Sequence, residues 1–520
     1  MRRGTFFRDI IARESLHETC DKRALSTETT ILAGVSIYLL AMIVIGIAVS
    51  KRAGTQDDFI VAGRKLPLWL CVPTITATWF GAGTMLGAAS TGYQGGFLAS
   101  IATPFGTSLT LILVGFFFVR TLRRMKLLTV ADFFENRFGH VSAMVAAVAL
   151  VLAIIGWIGA LMVAFGYVFQ TMTDIPMEIG ILAGGVIVIA YTAIGGMWAV
   201  AVTDFVQVMI IAIGLLVLLV VVLIDVGGWG VIVPQLPEHA FRLIPLEHGV
   251  EIWLNYLRLW VIFGVADLAS QSLMQRVFAA DSDRTAQNAF YWAGAGHLLL
   301  GLIPVILGII AGVTMPGLDD PQTVVPSMAI EHLHPVAIAI FVGAILAAIM
   351  SSADSALLAA ASLIGINLVP AVKHNMSSEQ KLIVTRIAIP VCGIIAVYVA
   401  LEVQLILELM LDANSFLLAG VVGPYIAGVW WAKANRTGTL SAMAAGFSAW
   451  VLAEWIYPEL AGDVVGFGVS LLVIVIVTLL TQEIDPPTPL TDEDGEPIGL
   501  TERLGIAASL RDQQHLIRRE

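Results

Sequence analysis

Within AAIMSSADSALLAA (Ala347–Ala360), three serines and an aspartate fall within five residues of an otherwise apolar run. Helical spacing puts Ser351, Ser352 and Ser355 on one stripe with Ala348, and Asp354 borders it. Hydroxyl oxygens suit a hard cation, and Na+ takes oxygen ligands as calcium and magnesium do. Two hydroxyls plus carbonyls released by a broken helix would complete such a cage. Ala77 and Phe80, in TATWFGAGTMLGAAS (Thr76–Ser90), are suitable carbonyl suppliers if that helix unwinds. The alternative is that each serine bonds back to the carbonyl one turn earlier. The ionisable neighbour favours the functional reading, because such groups are costly inside a membrane.

Other polar residues sit in apolar surroundings. Asp204, in AVAVTDFVQ (Ala199–Gln207), has two readings. It serves ion exit or a second cation, or it is a carboxylate favoured at a helix N-terminus. Asp267, in FGVADLASQS (Phe263–Ser272), would receive a cationic group of a substrate, or else pair with Arg258 nine residues upstream. Glu408 and Asp412, at i and i+4, line an aqueous vestibule or an outer helix end; His297 and Glu454 are further candidates. Trp79, Trp157, Trp253 and Trp260 suit interfacial anchoring. Trp79, at a break, would also hold a quaternary ammonium by cation–π attraction.

The elements that position these residues follow from composition. The chain has 520 residues, 58% hydrophobic and 13% charged, whereas a soluble domain is about a quarter charged. Repeated apolar stretches of about 20 residues predict an all-α polytopic membrane protein of about 13 spans. They fall near 30–50, 66–93, 97–120, 139–172, 176–195, 199–226, 251–276, 287–314, 335–366, 381–402, 405–432, 438–457 and 463–482. An outer-membrane barrel is excluded, because its strands are short and alternate apolar with polar. Cys20, Cys71 and Cys392 make neither a disulfide framework nor a zinc motif. The net charge of −11 brings no basic patch for nucleic acid.

Spans two to six and seven to eleven form two groups of five. A five-span unit repeated once must insert upside down, and such inverted repeats bind solute near the midplane through broken helices. The expected organisation is a tail (1–29), an extra span (30–50), two repeats (66–226 and 251–432), two C-terminal spans (438–482) and an acidic, Pro-rich tail (483–520). Lys and Arg cluster in alternate loops, at Lys51, Arg64, Arg123, Arg137, Arg276, Lys373 and Lys433 among others. That pattern puts the C-terminus inside and the N-terminus outside, although the N-terminal tail is itself rich in Arg.

DFIVAGRKLP, TATWFGAGT, YTAIGGMWAVAVTDFVQ, QRVFAA and AAIMSSADSALLAA occur in that order. Over roughly residues 30–435 the chain resembles the sodium:solute symporter family. The resemblance implies a LeuT-like core of five plus five helices with broken first helices, extra terminal spans, and Na+-driven uptake by alternating access in the plasma membrane. It places a sodium site on the carbonyls of Ala77, Phe80 and Ala348 and the hydroxyls of Ser351 and Ser352. The family's aspartate after its GG motif, tied in some branches to a second sodium, falls on Asp204. The pattern resembles most the high-affinity choline transporter branch, whose aromatic cage matches at Trp79 and Trp157 and whose aspartate matches at Asp354. Two cage positions depart, where Thr107 replaces a tyrosine and Ser270 a tryptophan.

The expected partners are therefore Na+, a small organic solute (choline-like, another amine or an amino acid) and the bilayer. Rival readings are a proton-coupled permease of similar fold, with Asp354 or Asp267 titrating, and a sensor or channel on the same scaffold. No nucleophile–base pair or metal constellation points to an enzyme.

Overall fold

The computed structural model describes residues 29–173, 175–246, 248–457, 461–499 and Arg503, without the side chains of Leu407 and Glu408. The N-terminal tail up to residue 28 and the Glu408 side chain thus lie outside the described residues. Inside hydrocarbon, each backbone N–H and C=O needs a partner within its own segment. The apolar runs accordingly fold as helices, ten of them long and apolar enough to cross a membrane among the described residues. In chain order the main elements are α1 (Thr29–Ser50), α2 (Leu68–Trp79), α3 (Gly83–Ala99), α4 (Ile101–Phe117), α5 (His140–Met172) and α6 (Met177–Asp225). There follow α7 (Val250–Gly264), α8 (Gln271–Ala279), α9 (Asp283–Thr314), α10 (Val324–His332), α11 (Pro335–Leu363) and α12 (Ser378–Val403). The last three are α13 (Leu409–Trp430), α14 (Arg436–Ile456) and α15 (Gly462–Thr481).

The first helix of each repeat is broken, as expected. Helix α2 stops at Trp79, Phe80 takes φ −82° and ψ 62°, and the chain resumes as a π turn over Gly83–Gly87. Helix α7 stops at Gly264, followed by a 3-10 turn over Ala266–Ala269 and an extended Ser270 (φ −62°, ψ 122°) before α8. The carbonyls stranded at such an end need outside donors; Thr110 Oγ1 supplies one to the Phe263 carbonyl at 2.7 Å. With these matched breaks opening two five-span units, the fold is the inverted-repeat core of a polytopic all-α protein.

Helix α6 joins two expected spans without a loop. Its 49 residues would run about 74 Å if straight, against about 30 Å of hydrocarbon. It bends at Gly196 (φ 57°, ψ −164°). A Cβ there would meet the Phe59 carbonyl oxygen at 2.7 Å, so both the left-handed φ and the close approach require glycine.

The basic loops are structural as well as charged. Arg64 bonds the carbonyls of Leu127 and Lys126 at 3.0 and 2.7 Å. Arg123 bonds that of Ala280 at 2.9 Å, and Arg137 bonds those of Gly428, Trp431 and Ala432. The start of the acidic tail lies against this end: Glu493 pairs with Lys126, and Leu490 and Ile498 are buried. Arg276, read from sequence as one more loop cation, belongs elsewhere. It is fully buried inside α8.

Candidate functional site

At the first break, α2 meets α11. Ser351 Oγ lies 3.1 Å from the Ala77 carbonyl oxygen and 3.2 Å from that of Ala348. Ser352 Oγ is 3.3 Å from both. Four of the five oxygens expected for a sodium cage are thus gathered from two helices. Phe80, the fifth supplier, is buried at the non-helical turn. The serines do bond back to Ala348, so the alternative reading also holds locally, but the Ala77 carbonyl makes the group inter-helical. A Cβ on Gly81 would sit 2.6 Å from Ser352 Oγ; only glycine lets the break approach the serines. All these atoms are oxygens, which fits a hard monovalent cation.

One turn further along α11 lies a charged cluster that sequence reading only partly found. Asp204 faces Arg276 at 3.6 Å with both side chains wholly buried, and Thr74 donates to Asp204. Arg276 also donates to Ser355 and, at 2.9 Å, to the Ser272 carbonyl. Ser355 reaches Asp354 at 3.2 Å and Thr78 at 3.2 Å, and Tyr191 donates to Asp354. Helices α2, α6, α8 and α11 are thereby tied together on the side of the serine and carbonyl oxygens nearer the basic loops. Sequence reading missed Thr74, Thr78 and Tyr191 and, most consequentially, the charge of Arg276. Its signal was the short polar face Gln271–Gln275–Arg276, whose glutamines bond the Val130 amide (2.6 Å) and Ser362 (2.8 Å).

Between the two breaks is a small cavity lined by Trp79, Trp157, Asp267, Ser270, Ser272 and Asn414, with apolar neighbours. It offers ≈ 30 Å³ to water centres, room for about two waters. Trp79 and Trp157 meet edge to face, their centroids 6.3 Å apart. Ser270 and Ser272 bond each other at 3.1 Å. The proposed Arg258 partnership of Asp267 does not form: Arg258 pairs with the buried Asp463 at 3.0 Å, and Ser415 joins them at 3.2 Å. The Asp267 carboxylate is left without a hydrogen-bond or ion-pair partner among the described residues; its backbone carbonyl accepts from the Ser270 amide at 3.0 Å.

Thr107, grouped with the solute residues from sequence, is absent from this lining. It bonds His297 Nε2 at 2.9 Å, and the His297 ring packs against Phe80 with centroids 5.7 Å apart. Both therefore support the break from behind. Asp412 and Glu454 line a wider vestibule of ≈ 860 Å³ with Arg258, Gln322 and Trp450. It shares Ala153 and Ala413 with the small cavity and opens at the end away from the basic loops. Trp253 is substantially exposed and contacts Tyr256 edge to face, as an interfacial anchor would.

Broken helices meeting at a cluster of oxygens, beside a small polar-lined hollow, have the architecture of a secondary transporter. The model of the sodium:solute symporter family matches residues 59–446, and the chain belongs to that family. High-affinity choline transporter 1 of Drosophila melanogaster is 29% identical over 397 residues, 72% of this chain and 62% of the fly protein. This chain thus spans less than two thirds of that relative's length. High affinity choline transporter 1 of Homo sapiens is 29% identical over 436 residues, 78% of this chain and 73% of the human one. A solved Na+-coupled sialic acid symporter superposes with a TM-score of 0.75 at 20% identity, covering 87% of this chain and 98% of that one.

Proposed function

We propose that this protein is a Na+-coupled symporter for a small organic solute carrying an ammonium group. The observation that carries the reading is Asp267, a buried carboxylate with no partner among the described residues, lining a hollow walled by Trp79 and Trp157. A lone anion there matches an incoming cation, and the indole faces add cation–π attraction.

The coupling follows from connectivity. Na+ on the oxygens of Ala77, Phe80, Ala348, Ser351 and Ser352 would hold α2 against α11 and fix the break that carries Trp79. Ion and solute then stabilise the same arrangement, a positive coupling between two ligands. The vestibule faces outside in this reading, since basic loops mark the cytoplasmic side of the plasma membrane. That puts the N-terminus outside and the C-terminus inside. The Asp204–Arg276–Ser355–Asp354 cluster closes the inner route and serves ion exit once the bundle rocks.

Uptake of radiolabelled choline and smaller amines into proteoliposomes tests this. Accumulation should require an inward Na+ gradient and fail when K+ replaces Na+ at fixed pH. Accumulation that ignores Na+ and follows a pH gradient would establish the proton-coupled permease instead. Flux without accumulation would establish a channel.

A further inference from the structure

The solute cavity holds more unpaired chemistry than a cation needs. The Trp79 Nε1–H and the Asn414 Nδ2 amide are both buried and donate to nothing among the described residues. Trp79, Asn414 and Asp267 are 8%, 2% and 5% exposed, and all three line this one hollow. The nearby hydroxyls of Ser270 and Ser272 satisfy each other. Buried donors are almost always bonded in folded proteins. Two orphans beside an orphaned carboxylate point to a partner that arrives with the solute.

We propose that the solute is a compact zwitterion, and that Asn414 is a specificity-determining residue for its anionic end. The ammonium meets Asp267 and the two indole rings. The carboxylate takes the Trp79 Nε1–H and the Asn414 amide, one oxygen for each donor. A plain cation would satisfy Asp267 and leave both donors unbonded. A plain carboxylate would satisfy the donors and be repelled by Asp267. This inference rests on the ammonium-solute reading above and sharpens it.

The test is equilibrium binding to the purified full chain in nanodiscs, in Na+ and in K+. The probes are trimethylglycine, tetramethylammonium and 3,3-dimethylbutanoate, which share a bulky head and differ in charge. In Na+, trimethylglycine should bind at least about tenfold more tightly than either of the others. Asn414→Leu should shrink its advantage over tetramethylammonium to about threefold or less. Asn414→Asp, nearly isosteric, should reverse the order in favour of tetramethylammonium, so a folding defect in one variant leaves the other. Tetramethylammonium binding as tightly as trimethylglycine to the unmodified chain, in Na+ only, overturns the zwitterion and leaves the ammonium symporter standing. An unchanged order in both Asn414 variants overturns the role of Asn414. Failure of every probe to bind in Na+ overturns both readings.

Discussion

The Arg276 guanidinium lies 3.6 Å from the Asp204 carboxylate, and neither side chain reaches solvent. A buried pair of this kind is asymmetric in its energetics. Keeping both partners gives little net stability, whereas losing one strands a charge at about 3–5 kcal/mol. Arg276→Met should therefore lower the melting temperature of the purified protein sharply. Asp204→Leu in the same chain removes the stranded carboxylate and should recover most of the loss. Thermal unfolding measures both, and equal melting of the single and double variants would contradict the pairing.

Ser351→Ala and Ser352→Ala each remove one oxygen from the cage between α2 and α11. A hydrogen-bonding group facing a charge is worth about 1.5–3 kcal/mol, so the Na+ concentration for half-maximal uptake should rise at least about tenfold. Solute affinity at saturating Na+ should change much less. Unaltered Na+ dependence in both variants removes the serines from the ion site.

Asp267→Asn keeps the shape of the cavity and deletes its unpaired charge. Uptake of any ammonium-bearing solute should fall by more than about tenfold in kcat/KM, with membrane insertion and melting temperature unaffected or improved. Stability is not expected to suffer, because no described residue pairs with that carboxylate. If ammonium solutes are carried as well as before, Asp267 does not contact them.

Thr107→Val should act through His297. Among the described residues that ring already has one nitrogen, Nδ1, without a partner, and the substitution takes away the one bond of the other, at 2.9 Å. A loss of about 1–3 kcal/mol in stability is expected for the newly orphaned group. The Na+ requirement should shift more than the solute specificity, since His297 packs on Phe80 and Thr107 lies outside the hollow. A change in solute preference at constant Na+ affinity would instead return Thr107 to the solute site.

Much of the architecture was legible because hydrocarbon leaves the backbone few options: apolar length alone located most helices. The breaks were legible too, the first in TATWFGAGTMLGAAS and the second from the expectation that each inverted repeat opens on a broken helix. What sequence could not provide was which polar groups meet. Arg276 carries the same charge as its loop neighbours, and only the docking of α8 under α11 reveals that it is buried. Asp267 and Arg258 sat close enough in sequence to suggest a pair, yet Asp463, some two hundred residues away, wins Arg258. Asn414 raised no signal, because one amide in an apolar helix resembles any other until its neighbours are known. The acidic, Pro-rich composition of the tail gave no hint that Leu490 and Ile498 would be buried at the basic end.

The approach of Gly81 to Ser352 ties two distant positions into one unit of variation. A methyl at 81 would stand 2.6 Å from the hydroxyl and 3.2 Å from the Cβ of residue 352. Replacing Ser352 by alanine relieves the first collision and leaves the second; only glycine there clears both. The two sites are therefore epistatic: drift at position 81 stays closed for as long as position 352 carries a side chain.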